Sequence, residues 1–427
     1  MGVTVIQKST PRTRKVSPRV ALVLAGGAVT AGAFELGGLA ALDSMLVGRK
    51  VTDLDIFVGL SAGALLAAPL AAGISPEEML EAHDRPGELG QLSVLDLYFP
   101  NLEEFLGRPL ELLSALVGWL PRVGANALAR LPEAATRLRQ PFEAWLAEPG
   151  PETLTRLTSA VADSLLAGSP PLPMPLDYLP SGLFDNRRIE RFVRRSFTER
   201  GIANSFRALL LERGRELYIS AVDLDTAERV VFGHDEDSAL LISEAVQAST
   251  ALPGFYRPAR IKGVDYVDGS VRRTANIDVA IEHGADLVIC YNPFRPYNNS
   301  TRPGAADRHA SGAPLAEHGL VAVMSQVFRA LLHSRLHLGL NQYREDPSFH
   351  GDIVLIEPSD TEESFLNAFP FWPGERQRAA EVGARSLEAA LEADHDTVAE
   401  VFHRYGLTLA RPPGAAGSAA PGQRRSA

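Results

Sequence analysis

Leu54-Asp55-Ile56-Phe57-Val58-Gly59-Leu60-Ser61-Ala62-Gly63 is a short apolar run that breaks at a small-residue turn and resumes, from Ala64 to Ala72, as a stretch of Ala and Leu. An apolar run this short, bounded by glycine, reads as a strand buried on both faces. The turn has the form G-x-S-x-G, in which a serine sits on a sharp strand-to-helix bend and its small neighbours let the backbone fold back. The same grammar recurs upstream: Val20 to Ala25 is apolar, Gly26-Gly27 interrupts it, and a helical pattern follows through Phe34, Leu36, Leu39 and Leu42. Two successive β-turn-α units predict an α/β protein with a mainly parallel sheet covered by helices on both faces.

Outward from this core, Ser75-Pro76-Glu77-Glu78 combines a serine cap, a first-turn proline and a Glu three residues after the serine, and predicts a helix to about His83. From about 92 to 181 the texture changes. Pro100, Pro109, Pro121, Pro132 and Pro141 cut apolar helical pieces such as Leu110 to Leu120, which predicts a helical insertion. Leu110, Leu113, Val117 and Leu120 are too apolar for a solvated face; packing on the body is the expectation, with an apolar substrate site or a membrane as alternatives. Alternation resumes with a helix at 187–197, a strand at 217–222, a helix at 242–249, and strands at 286–291 and 352–356. Residues 1–18 read as a disordered basic leader, 19–408 as one α/β domain carrying the insertion, 295–314 as a mobile loop and 409–427 as a disordered tail.

Composition narrows the function classes. Of 427 residues, 45% are hydrophobic, so a large core can form, and 42 Lys and Arg against 52 Asp and Glu give a net charge of −10 that argues against nucleic acid as a partner. The single cysteine, Cys290, rules out an internal disulfide framework and reads as buried in the strand Leu287-Val288-Ile289-Cys290. No run of 18 or more apolar residues is present, so a membrane span is not expected. The basic residues before Val20 imitate a secretory signal, but Gly26, Gly27, Gly32 and Glu35 break its apolar region. Met1-Gly2 lacks the Ser or Thr of a myristoylation motif, since Ile6 stands there.

A nucleophilic serine needs a base, commonly a histidine oriented by an aspartate. None of the ten histidines sits at a recognisable strand end: His83 ends a helix, His283 lies in a helix-to-strand connection, and His318, His333 and His337 lie on or beside one predicted helix. By contrast, Gly263-Val264-Asp265-Tyr266-Val267-Asp268-Gly269-Ser270 alternates and then stops at an Asp-Gly turn, which presents Asp268 on a rigid edge. A dinucleotide loop at Gly26 to Gly38 is disfavoured, because Gly27-x-x-x-x-Gly32 has the wrong spacing for G-x-G-x-x-G.

The ordered set Gly26-Gly27, Gly59-x-Ser61-x-Gly63, Ala248-Ser249-Thr250-Ala251-Leu252-Pro253, and Asp268-Gly269-Ser270, the last beginning 207 positions after Ser61, resembles the patatin-like phospholipases over residues 20–80 and 184–292. The resemblance implies a three-layer α/β/α sandwich with a mainly parallel central sheet. It implies a serine acyl hydrolase of the lipase or phospholipase A type, with Ser61 as nucleophile, Asp268 as general base, and the backbone N–H groups of Gly26, Gly27 and Ala28 as oxyanion donors. Gly59 and Gly63 then flank the elbow, and Gly269 and Ser270 complete the Asp-Gly turn. No metal and no cofactor is implied; the expected partners are a lipid ester and, peripherally, a membrane surface, with a cytoplasmic location.

The glycine loop departs from the family's usual G-G-G-x-R-G, reading Gly26-Gly27-Ala28-Val29-Thr30-Ala31-Gly32 without the arginine. That departure motivates a second reading, a catalytically weak lipid-binding scaffold with the same fold. An acyltransferase using the same dyad is a third.

Overall fold

The computed structural model describes residues 2–9, 16–84, 92–166, 168–298, 314–358 and 376–412. Nine strands form one sheet: β1 (Val3–Gln7), β2 (Val20–Leu24), β3 (Ile56–Gly59), β4 (Glu216–Asp223), β5 (Arg229–Phe232), β6 (Ala259–Ile261), β7 (Val264–Asp268), β8 (Leu287–Tyr291) and β9 (Asp352–Ile356). Their spatial order is β1-β9-β8-β2-β3-β4-β7-β6, with β5 paired to β4. The five central strands, β9 to β4, run parallel, and β1, β5, β6 and β7 pair antiparallel at the margins.

The central strands are apolar on both faces because both faces are covered, as parallel sheets require. Along β2, Val20, Leu22 and Leu24 point into one core and Ala21 and Val23 into the other; along β8, Leu287, Ile289 and Tyr291 alternate with Val288 and Cys290 in the same way. The first core is closed by helices α1 (Ala28–Met45), α2 (Ala62–Ala71), α8 (Ile242–Ser249), α11 (Arg376–Ala393) and α12 (His395–Arg404), and the second by α9 (Ile277–Glu282) and α10 (Leu320–Glu345). Further helices among the described residues are α3 (Pro76–Asp84), α4 (Leu102–Ala147), α5 (Pro151–Leu166), α6 (Arg187–Glu199) and α7 (Phe206–Arg213), with a single helical turn at Val94–Leu97. This is the expected three-layer arrangement, and Cys290 is buried in its strand as read. Glu35, in the middle of α1, is fully buried, and neither of its carboxyl oxygens meets a hydrogen-bond partner among the described residues.

Three expectations need correction. The supposed disordered leader contains β1, which pairs with β9 from Val3 opposite Ile356 to Gln7 opposite Asp352. The backbone N–H groups of Lys8 and Ser9 then donate to Asp352 Oδ1 at 2.8 and 2.9 Å, fixing the end of that strand. Second, the apolar pieces expected to be cut by proline form a continuous helix, α4, with Pro109, Pro121, Pro132 and Pro141 inside it. Each proline removes one backbone hydrogen bond, and four isolated losses leave the rest of a 46-residue ladder in place. Third, within its own unit the apolar face of α4 is not packed away: Leu106, Leu110, Leu113, Val117, Leu120, Leu128 and Leu131 are all exposed.

These seven side chains recur mostly at spacings of four and three, so they fall along one stripe of the helix. By length and composition alone α4 is also long and apolar enough to cross a membrane. The chain divides into two compact units, residues 1–99 with 184–427, and residues 100–183. Residues 299–313 of the mobile loop expected at 295–314, the basic residues at 12–15 and the tail from 413 onward lie outside the described residues.

Candidate active site

Gly59 is the last residue of β3, Ser61 precedes α2, and the bend between them holds Ser61 at φ 54° and ψ −123°. A non-glycine residue with this backbone is strained by about 1–3 kcal/mol and persists only where its surroundings enforce it. The enforcement is steric. A Cβ on Gly63 would collide with the carbonyl oxygens of Leu24 and Ala25, and one on Gly59 would stand 2.6 Å from Ala64 Cα, so only glycine lets helix and sheet approach this closely. Ser61 keeps 7% of its surface, enough to face a cavity.

Asp268 ends β7 and is wholly buried. Its proximity to an elbow 207 residues away follows from register. Ile219 of β4 lies opposite Gly59 on one side, and Ala221, two residues on, lies opposite Asp268 on the other. Because β4 overshoots β3, the antiparallel β7 comes in along the overhang and stops level with the elbow. Gly269 must be glycine here, since a Cβ would sit 2.7 Å from the Ser220 carbonyl oxygen.

The two carboxyl oxygens of Asp268 are used differently. Oδ1 accepts from the Ser270 backbone N–H at 2.8 Å, while Oδ2 has no hydrogen-bond partner among the described residues. Burial pushes the Asp268 pKa up; the Ser61 side chain and the Ser270 amide pull against that shift without overcoming it. The carboxyl is thus more basic than a free aspartate, and the Ser61 side chain is close enough to influence it.

The glycine loop closes the third side. Gly26 lies against the Ser61 bend, where a Cβ would come within 2.8 Å of Ser61 Cβ and 3.5 Å of its Oγ. Gly27 caps α1 with no side-chain hydrogen bond, no acidic residue follows in the first turn, and Ala28 begins the helix. Among the described residues nothing accepts from the Gly26 or Gly27 N–H groups. The N-terminal amides of a helix and its dipole favour negative charge at this position. The glycine loop, Gly59, Ser61, Gly63, Asp268, Gly269 and Ser270 are therefore all brought together.

Several contributors were not assigned from the sequence. The Ser249 hydroxyl accepts from the Ser61 backbone N–H at 2.8 Å, and the Ala251 carbonyl accepts from the Asp268 N–H at 2.9 Å. The segment Ala248 to Pro253, visible as a motif but without a role, is thus a clamp that holds both residues by their backbones. Ser249→Ala leaves a buried amide without an acceptor and should lower stability by about 1–3 kcal/mol in urea unfolding. Arg335 of α10 fastens the far side of the Asp-Gly turn, donating to the carbonyls of Ser270 at 2.5 Å and Val271 at 2.9 Å. Its place on a helix shared with two histidines, His333 and His337, gave no hint of this.

Ser61 also lines a cavity of about 450 Å³, walled mainly by Leu36, Leu65, Leu66, Leu80, Leu252 and Tyr256. A space of this size with a mainly apolar lining falls in the range of small-ligand sites. No histidine lines it among the described residues. Arg376, from the start of α11, is the polar exception: Nη1 donates to the Leu92 carbonyl at 3.0 Å, while Nε and Nη2 have no partner among the described residues. Burial pushes its pKa down.

Comparison with known proteins gives the class first: residues 22–281, more than half of the chain, match the profile described as patatin-like phospholipase, a family of lipid acyl hydrolases. The chain belongs to that family. Among solved structures it is similar to VipD from Legionella pneumophila, with 17% identity and a TM-score of 0.36, covering 92% of this chain and 70% of that one. It is similar to the type III effector ExoU of Pseudomonas aeruginosa at 14% identity, TM-score 0.29 and coverage of 92% and 62%. It also resembles human GIVD cytosolic phospholipase A2 in complex with methyl gamma-linolenyl fluorophosphonate at 13% identity, TM-score 0.33 and coverage of 91% and 59%. The chain spans less than two thirds of the length of the last two.

Proposed function

We propose that the protein hydrolyses lipid esters through a Ser61-Asp268 dyad. The observation that carries this reading is the buried, unpartnered Asp268 Oδ2 beside a serine held at positive φ on the edge of an apolar cavity. Asp268 Oδ2 takes the Ser61 proton as Oγ attacks the ester carbonyl. The N–H groups of Gly26, Gly27 and Ala28 donate to the developing oxyanion. Collapse breaks the ester C–O bond, and the departing alkoxide takes the proton from Asp268. Water then attacks the acyl-serine, giving its proton to Asp268, which returns it to Ser61 as the fatty acid leaves.

The cavity leucines hold the acyl chain, and the open Nε and Nη2 of Arg376 favour a substrate that carries an anionic oxygen, a role the arginine-free glycine loop leaves vacant. The exposed leucine stripe of α4 favours contact with a lipid surface. Sedimentation with phospholipid vesicles should carry the wild type down and leave Leu110→Glu/Leu113→Glu in solution; equal sedimentation of both removes the stripe from the reading.

A fluorophosphonate probe tests the dyad directly. Intact mass should show one adduct, mapped by peptide sequencing to Ser61. A folded wild type that stays unlabelled would favour the lipid-binding scaffold instead.

A further inference from the structure

Outside the dyad, a cluster of ligating side chains among the described residues lies where α10 passes the end of β9. His333 and His337 are one helical turn apart, their rings lie with centroids 4.2 Å apart and tilted by 41°, and each directs Nε2 at the same oxygen of Glu357, the residue after β9. His333 Nε2 is 3.5 Å and His337 Nε2 3.0 Å from Glu357 Oε2, and the three donor atoms lie within 4.8 Å of one another. A tetrahedral ion with bonds of about 2.0–2.2 Å needs donors roughly 3.3–3.5 Å apart, so small side-chain adjustments complete such a shell.

The carboxylate is also held as a ligand would be. Asn292 Nδ2 donates to the other oxygen, Oε1, at 2.7 Å, leaving Oε2 to the histidines, and the Glu357 N–H donates to the Gly2 carbonyl at 2.8 Å. Glu357 itself is nearly buried, whereas both histidines keep solvent access on one side, so an ion has a path in and a fixed acid to meet.

We propose that His333, His337 and Glu357 bind a divalent cation of the zinc class, with a fourth position open. Two imidazoles and one carboxylate select borderline-soft ions over calcium or magnesium, which prefer all-oxygen shells. The site takes no part in the dyad, yet it adjoins it. Asn292 orients Glu357, and the next residue, Pro293, stands against Gly27, where a Cβ would approach to 2.9 Å. Occupancy therefore braces the wall of the glycine loop from outside the reaction.

The test uses the untagged, metal-stripped full chain titrated with Co²⁺ and then Zn²⁺, followed by visible absorption and elemental analysis. One ion per chain with a tetrahedral cobalt spectrum is expected. His333→Asn/His337→Asn should lose at least 100-fold in affinity, and Asn292→Ala about 10–100-fold. A second measurement needs no variant: Zn²⁺ should protect His333 and His337 of the wild type from carbethoxylation, read by peptide mass. Absence of uptake, uptake unchanged in the double variant, or unprotected histidines each overturns the proposal and leaves a His-Glu ion-pair cluster.

Discussion

Ser61→Ala should fold as the wild type does and lose ester hydrolysis by about 10⁴-fold or more, the scale on which removal of a nucleophile collapses the whole covalent route. The substitution deletes only Oγ, and Ala62 to Ala71 supply the helix that follows, so neither sheet nor cavity loses a contact of consequence. Hydrolysis of a short-chain nitrophenyl ester, measured beside circular dichroism, checks both halves of the expectation. Retention of turnover within tenfold would remove Ser61 from the reaction.

Asp268→Asn should cost about 10²–10⁴-fold in turnover while leaving stability equal or higher. The reason is the same burial that makes the carboxylate useful. Its charged form is disfavoured by desolvation, and one oxygen has no partner, so a neutral amide of the same shape removes a penalty while still accepting from Ser270. Activity and stability therefore move in opposite directions, which a merely structural aspartate would not do. Because the Asp268 pKa is raised, the wild-type rate should climb with pH through a limb above the free-aspartate value of about 3.9, and a limb at or below that value would contradict the role. Unfolding in urea and a pH-rate profile measure the two effects.

What the sequence made legible is what local rules control. The run Ile56 to Gly63 announces a strand, a bend and a helix within ten residues, and the Asp-Gly turn announces itself in the same way. What it hid depends on distance. β1 is a five-residue strand whose partner lies about 350 positions away, so nothing local separates it from a leader. The prolines of α4 each carry a true local penalty, and reading them as breaks ignored the hydrogen bonds that remain between them. Ser249 stood in a recognised motif, yet only the fold brings its hydroxyl to the Ser61 amide. Likewise the four-residue spacing of His333 and His337 was in view, but Glu357, which makes them a cluster, belongs to another element.

The solitary carboxyl of Glu35 has a consequence for how the protein responds to its medium. Desolvation raises its pKa well above the usual glutamate value, so the folded chain keeps a proton that the unfolded chain releases. The resulting stability is complete below the unfolded pKa of about 4.3 and drains away as pH climbs toward the folded value, by up to about 1.4 kcal/mol for each pH unit crossed. Glu35→Gln should flatten that slope and raise the melting temperature most at alkaline pH, where the native protein is obliged either to bury a charge or to open around α1.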